Sequence, residues 1–262
     1  MRILITLALL IISTSSFAVT FNGNFIQGSF ILGKTEPDSV VYIDKKKVRV
    51  TSEGFFAFGL GRDRKNDIVI SINDKKIIKK VLKREYNIQR IDGLEKEKVT
   101  PPEEVYERIK RENKWIGEAR ATDSDLTFFT NKFSIPIENA IITGVYGSQR
   151  ILNGKPKWPH YGLDFAADKG TKIKAMLDGV VTLVEPDLFY TGGTLIFDHG
   201  HGISTLYMHM EKIFVNNGQA VKQGDVIGTV GSTGRATGAH LDIRLNWFNV
   251  RLDPATVLDI KK

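Results

Sequence analysis

Residues 240–245 read His240-Leu241-Asp242-Ile243-Arg244-Leu245, a strict alternation of polar and apolar side chains. A period of two marks a strand with one face buried and the other open. His240, Asp242 and Arg244 therefore share one face, and Leu241, Ile243 and Leu245 the other. Two metal-competent side chains at i and i+2 can converge on a single site. Gly231-Ser232-Thr233-Gly234 and Gly238, just upstream, suit a tight approach to such a strand. Further upstream, Thr205-Leu206-Tyr207-Met208-His209-Met210 alternates in the same way. This pattern predicts Thr205, Tyr207 and His209 on one face, with Leu206, Met208 and Met210 packing inward on the other. A third segment, His160-Tyr161-Gly162-Leu163-Asp164, places a His and an Asp four residues apart, with a glycine between them that lets the chain bend. Taken alone, the His160–Asp164 spacing is a weak signal, and His209 reads first as a surface or packing residue.

Their surroundings concentrate the chemistry in one half of the chain. From about Pro136 onward, strand-like segments are punctuated by glycines, and all five histidines fall between residues 160 and 240. His199 and His201 read as part of a turn between two strands, without a catalytic role. Before this half comes a polar connector, residues 86–136, with a helix expected at about 101–117. Thr100 is its N-cap candidate, followed by Pro at the first helical position and Glu103 three residues on. Val105, Ile109 and Ile116 fall on one face of that helix, which either packs on a neighbouring domain or stands as a spacer. Residues 19–85 carry short β-branched and aromatic runs separated by turns, including Val40–Ile43, Phe55–Phe58 and the alternating Ile68, Ile70 and Ile72. Such spacing predicts a small β-sandwich of immunoglobulin-like form, a non-catalytic module that positions the rest of the chain. It contains no His and no cluster of carboxylates at ligand spacing.

Residues 1–18 read as a secretory signal peptide: Arg2, an apolar run over residues 3–12, then Ser16 and Ala18 at the positions expected before a cleavage point. The run is too short to span a bilayer comfortably, so no stable membrane span is expected. The chain has no cysteine, which excludes disulfides, thiolate metal sites and a lipid-modified cysteine. Any metal must be held by His, Asp or Glu. The net charge of +7 serves solubility or attraction to an acidic polymer. Nucleic acid is not an expected partner, because no aromatic-and-basic motif accompanies that charge.

The three segments, in this order, resemble the lysostaphin/LytM-type zinc metallopeptidases, whose pattern is H-x-x-x-D, a strand ending in Y-x-H, and H-x-H. Gly144–Gly147, Gly179-Val180-Val181, Asp198-His199-Gly200 and residues 221–228 extend the similarity over about residues 137–256. The resemblance implies a mainly β protein whose C-terminal domain is an antiparallel sheet carrying a substrate groove. It also implies a periplasmic or secreted hydrolase of peptide bonds in peptidoglycan, with peptide stems as partner and any cell-wall or divisome partner unknown. Carried over by motif, His160 and Asp164 are metal ligands, and His209 and His240 are the catalytic pair beside a metal-bound water. The remaining ligand position, His in the family, is Asp242 here. If Asp242 binds, the ligand set is one His and two Asp, for Zn²⁺ or for a metal that favours oxygen ligands, such as Mn²⁺. If Asp242 instead pairs with Arg244, the domain is a catalytically silent relative that binds the wall or regulates amidases.

Overall fold

The computed structural model describes residues 19–260, so the leader expected over residues 1–18 lies outside the described residues. The N-terminal part forms two antiparallel sheets. One is made of β1 (Thr20–Asn22), β2 (Phe30–Lys34) and β5 (Phe55–Gly59). The other joins β3 (Val41–Ile43), β4 (Lys46–Val48), β6 (Ile68–Ile72) and β7 (Lys75–Lys79) in the order β4-β3-β6-β7. The alternation on β6 is realised: Ile68, Ile70 and Ile72 are fully buried while Val69 and Ser71 are half-buried. Opposite them, Phe56 and Phe58 pack edge-on against Phe21, an arrangement that aromatic quadrupoles favour.

β5 is buried on both faces for a reason its sequence contains. Phe56 and Phe58 face the sandwich, and the small residues Ala57 and Gly59 face the C-terminal half. A Cβ on Gly59 would lie 2.5 Å from Leu252, so only glycine lets the two parts meet here. One continuous apolar cluster runs from Ile31 and Ile70 to Leu241 and Leu252.

β8 (Ile88–Ile91) leaves the sandwich and pairs in parallel with β10 (Gln149–Leu152), which forms a hairpin with β11 (Lys155–Pro156). After the short helix α1 (Lys96–Val99) comes a 3-10 turn over Glu103–Val105 and then α2 (Tyr106–Arg120). The helix thus starts and ends later than the expected 101–117, and Thr100 does not cap it. A residue before proline is pushed out of the helical region, so Thr100-Pro101-Pro102 stays extended. The Thr100 hydroxyl instead accepts from Lys155 Nζ at 2.8 Å. α2 is no free spacer: Trp115, Ile116 and Ala119 pack on Leu183, Ile196 and Leu206 of the C-terminal sheet.

That sheet is antiparallel and joins β9 (Ile141–Gly144), β12 (Leu163–Ala166), β14 (Gly179–Leu188), β15 (Gly192–Asp198), β16 (Ile203–Ile213), β17 (Ala220–Val221) and β19 (His240–Trp247). Its order is β17-β14-β15-β16-β19-β12-β9. β18 (Val226–Val230) pairs with β16 and with β13 (Lys172–Lys174), and β20 (Val250–Leu252) pairs with β19. The chain is mainly β, as its patterns predict. Among the described residues, no helix is long and apolar enough to cross a membrane.

Candidate metal centre

Three strands lay the site side by side. β12 pairs with β19 so that Asp164 lies directly opposite Asp242 and Ala166 opposite His240. On β19, Leu241, Ile243 and Leu245 enter the core as the alternation requires, which leaves His240, Asp242 and Arg244 on the other face. β16 follows a different rule from the expected one. Its register sets Tyr207 opposite Ile243 and Thr205 opposite Leu245, both on the core face, while Leu206 and Met208 lie opposite Arg244 and Asp242. The sequence-based assignment of Thr205 and Tyr207 to the face of His209 is thereby overturned. His209 itself has a φ of +63°, a left-handed conformation that breaks the alternation at this residue. That break carries His209 to the site face and leaves Met210 in the core with Tyr207.

Nitrogen or oxygen atoms of His160, Asp164 and Asp242 lie within 4.8 Å of one another, and all three residues are buried. His160 Nε2 is 3.0 Å from Asp164 Oδ1 and 3.4 Å from Asp242 Oδ2. Arg150 donates to Asp164 Oδ2 at 2.8 Å, and Arg244 donates to Asp242 Oδ2 at 3.1 Å. Room for the carboxylates comes from two glycines. A Cβ on Gly144 would stand 2.1 Å from Asp164 Oδ2, and one on Gly162 would stand 2.0 Å from Asp242 Oδ1.

The electrostatics show what this cluster attracts. Burial acts to raise the Asp242 carboxyl, yet Arg244 and His160 hold it well below the usual carboxylate range. Burial and the Asp242 charge push Asp164 up, but His160 and Arg150 outweigh them and hold it down. For His160, burial would lower the pKa, and the two carboxylates reverse this and raise it. Two ionised carboxylates face each other across adjacent strands, and Asp164 Oδ1 is buried with no partner besides the His160 ring at 3.0 Å. One nitrogen and two carboxylates are a ligand set that divalent cations accept. The residues fit such an ion.

His209 and His240 stand beside this cluster with ring centroids 4.7 Å apart. His209 Nδ1 donates to the Thr233 carbonyl at 2.8 Å, and His240 Nδ1 donates to the Gly238 carbonyl at 2.8 Å. Each bond fixes the tautomer and leaves Nε2 as a proton acceptor. Burial, with the neighbouring His240, lowers the His209 pKa to about 4, so the ring is neutral at pH 7. Asp164, His209 and His240 line one cavity of about 290 Å³.

The other two histidines lie elsewhere, in the β15–β16 turn. His199 is fully buried between the Asp178 carbonyl and the Thr205 hydroxyl, and burial lowers its pKa to about 4. Sequence reasoning missed Arg150, Arg235 and Gln89, which line the same cavity. Only Arg235 carried a signal, since it immediately follows the glycine-rich turn before β19.

Residues 158–254 match the family model described as Peptidase family M23. The peptidoglycan DD-endopeptidase ShyA of Vibrio cholerae is 42% identical over 87 residues, which are 33% of this chain and 20% of that protein. The aligned part is thus about a fifth of the length of that curated relative. The catalytic domain of lysostaphin from Staphylococcus simulans is 31% identical, with 45% of this chain and 90% of that chain covered, at a TM-score of 0.39. A candidate peptidase M23 from Pseudomonas aeruginosa has a crystal structure that covers 89% of this chain and 95% of its own, with 26% identity and a TM-score of 0.69.

Proposed function

The chain belongs to peptidase family M23, and from that membership we propose that it is a metal-dependent endopeptidase of peptidoglycan. On this reading it works outside the cytoplasm, on the peptide stems of the wall. The observation that carries it is the convergence of His160, Asp164 and Asp242 beside two histidines whose Nε2 atoms are free to accept protons. The name of the relative ShyA, a peptidoglycan DD-endopeptidase, supports the substrate class.

In this reading His160, Asp164 and Asp242 hold a divalent ion, Zn²⁺ or a metal such as Mn²⁺. Such an ion supplies Lewis acidity, which polarises a carbonyl and acidifies a bound water. The chain's own residues do the rest. His209, kept neutral by burial, takes up a proton at Nε2 as the water attacks. His240 faces the same cavity, and its Nε2 lone pair accepts a hydrogen bond from the attacking water and so orients it beside His209. Arg150 and Arg244 hold the two carboxylates in place and share their charge.

One observation favours a second reading. The Arg244–Asp242 contact at 3.1 Å is an ion pair that satisfies Asp242 without a metal, as a wall-binding relative without turnover would have it. Purified protein incubated with isolated sacculi and added Zn²⁺ or Mn²⁺ decides between them. New muropeptides, absent with His240→Ala, support the peptidase; no products with either metal would sink it.

A further inference from the structure

The cavity beside the candidate metal centre contains two guanidinium groups in different circumstances. Arg150 is committed, donating to Asp164 Oδ2 at 2.8 Å and to Gln89 Oε1 at 3.2 Å. Arg235 has no carboxylate partner among the described residues. Its guanidinium makes a long donation, 3.4 Å, to the Lys98 carbonyl and lies 4.6 Å from the centre of the Tyr190 ring. Its root is rigid: Arg235 N donates to the Tyr190 carbonyl at 2.9 Å. The preceding Gly234, at φ +69°, sits where a Cβ would lie 2.4 Å from Gly192 N. Burial, and further off the charges of Arg150 and Arg244, make the cation less comfortable and lower its pKa. A half-buried cation without a counter-charge is costly. An anion arriving in the cavity would offset that cost.

We propose that Arg235 is a specificity-determining residue that receives a free carboxylate of the peptide substrate, next to the bond that is cut. This rests on the peptidase reading above. The guanidinium fork matches a carboxylate with two parallel hydrogen bonds. Proximity to the scissile bond follows from size. A cavity of about 290 Å³ is at the small end for ligand pockets. A carbonyl facing His209 and His240 and a carboxylate on Arg235 must then belong to the same residue or to adjacent ones. The preferred substrate is a peptide whose scissile amide lies within one residue of a free carboxylate, not an internal bond of a neutral chain.

The test uses two synthetic stem peptides of one sequence, one with the free carboxylate beside the scissile bond and one with a carboxamide there. Wild-type kcat/KM should favour the carboxylate by about tenfold or more, and Arg235→Gln should bring that ratio to within about threefold of one, from the strength of hydrogen bonds between charged groups. Arg235→Lys, which keeps a cation without the fork, should retain part of the preference. A wild-type ratio near one overturns the proposal, as does an Arg235→Gln protein that slows both peptides equally.

Calorimetric binding of N-acetyl-D-alanyl-D-alanine and its C-terminal amide separates this proposal from the peptidase reading, because it needs no turnover. If neither stem peptide is cut, the peptidase reading fails. A binding preference for the free acid that Arg235→Gln abolishes still upholds the carboxylate site, and equal binding of the two probes refutes it. Acetate at the same concentration is the control: if it displaces the free acid equally well, the site takes small anions rather than a peptide carboxylate.

Discussion

At the scale of the residue, the deciding position is Asp242. It is 1% exposed, lies opposite Asp164, and is held by both Arg244 and His160. Two roles are compatible with this geometry, and they differ in what happens when the charge alone is removed. Asp242→Asn keeps the shape and most hydrogen-bonding capacity. If Asp242 is a ligand, Zn²⁺ affinity should fall on the order of 100-fold, since even supporting residues of metal sites are worth 10–100-fold. If it only pairs with Arg244, affinity should change by less than about threefold, and the main effect should be lost stability from a buried arginine left without its partner. Titration against a chromophoric zinc chelator, with a urea melt of the metal-free protein, distinguishes the two. Asp242→His restores the family's ligand type and should raise Zn²⁺ affinity if the position is a ligand.

At the scale of the element, some strands were legible from sequence and others were not, for physical reasons. β19 alternates without interruption because its ladders with β12 and with residues 203–208 of β16 carry no bulge, so Leu241 and Ile243 fall in the core as their spacing predicts. β16 carries the same alternation in its letters, but the positive φ of His209 reverses the face at one residue, and nothing in Tyr207-Met208-His209 announces that. Arg150 was illegible because its link to Asp164 crosses a hairpin, with no ligand spacing to reveal it. α2 was legible as a helix, whereas its partner was not. Its anchor is a polar residue: Glu112 is buried, accepts from Arg108 Nε at 2.6 Å, and accepts from the Phe189 backbone N–H at 2.7 Å. Phe189 begins the β14–β15 turn, whose carbonyl also receives Lys98 Nζ. Glu112→Ala should therefore cost about 1–3 kcal/mol, the range for leaving a buried donor unsatisfied. The Phe189 amide should lose protection in hydrogen exchange well beyond the average for the sheet. Unchanged exchange at Phe189 would mean that apolar packing by Trp115, Ile116 and Ala119 holds the helix without this bond.

At the scale of the whole molecule, the question is whether the N-terminal sandwich is a separate module or part of the body that carries the site. The sequence suggests a module, because residues 19–85 have their own strands and their own aromatic cluster. The contacts point to a closer union. Besides the apolar cluster that crosses between the halves, Arg84 pairs with Asp253 at 2.5 Å, Asp253 N donates to the Gly28 carbonyl at 2.8 Å, and Arg62 Nε donates to the Gly147 carbonyl at 2.8 Å. The Asp253 side chain is 3% exposed, so salt screens its pairing with the half-buried Arg84 less than it would a surface pair. Halves joined by a buried apolar contact and satisfied polar bonds should unfold together, unlike domains joined by a wet interface. Leu252→Ala tests this at the seam, where Leu252 is fully buried and lies against Gly59. Removing its side chain should cost about 2–5 kcal/mol. All three tryptophans lie at 115, 158 and 247, so fluorescence reports the C-terminal half, and hydrogen exchange at the Ile70 amide reports the sandwich. Both should show the same loss of stability. If fluorescence shifts while Ile70 keeps its protection, the sandwich folds on its own and the seam is a contact between independent domains.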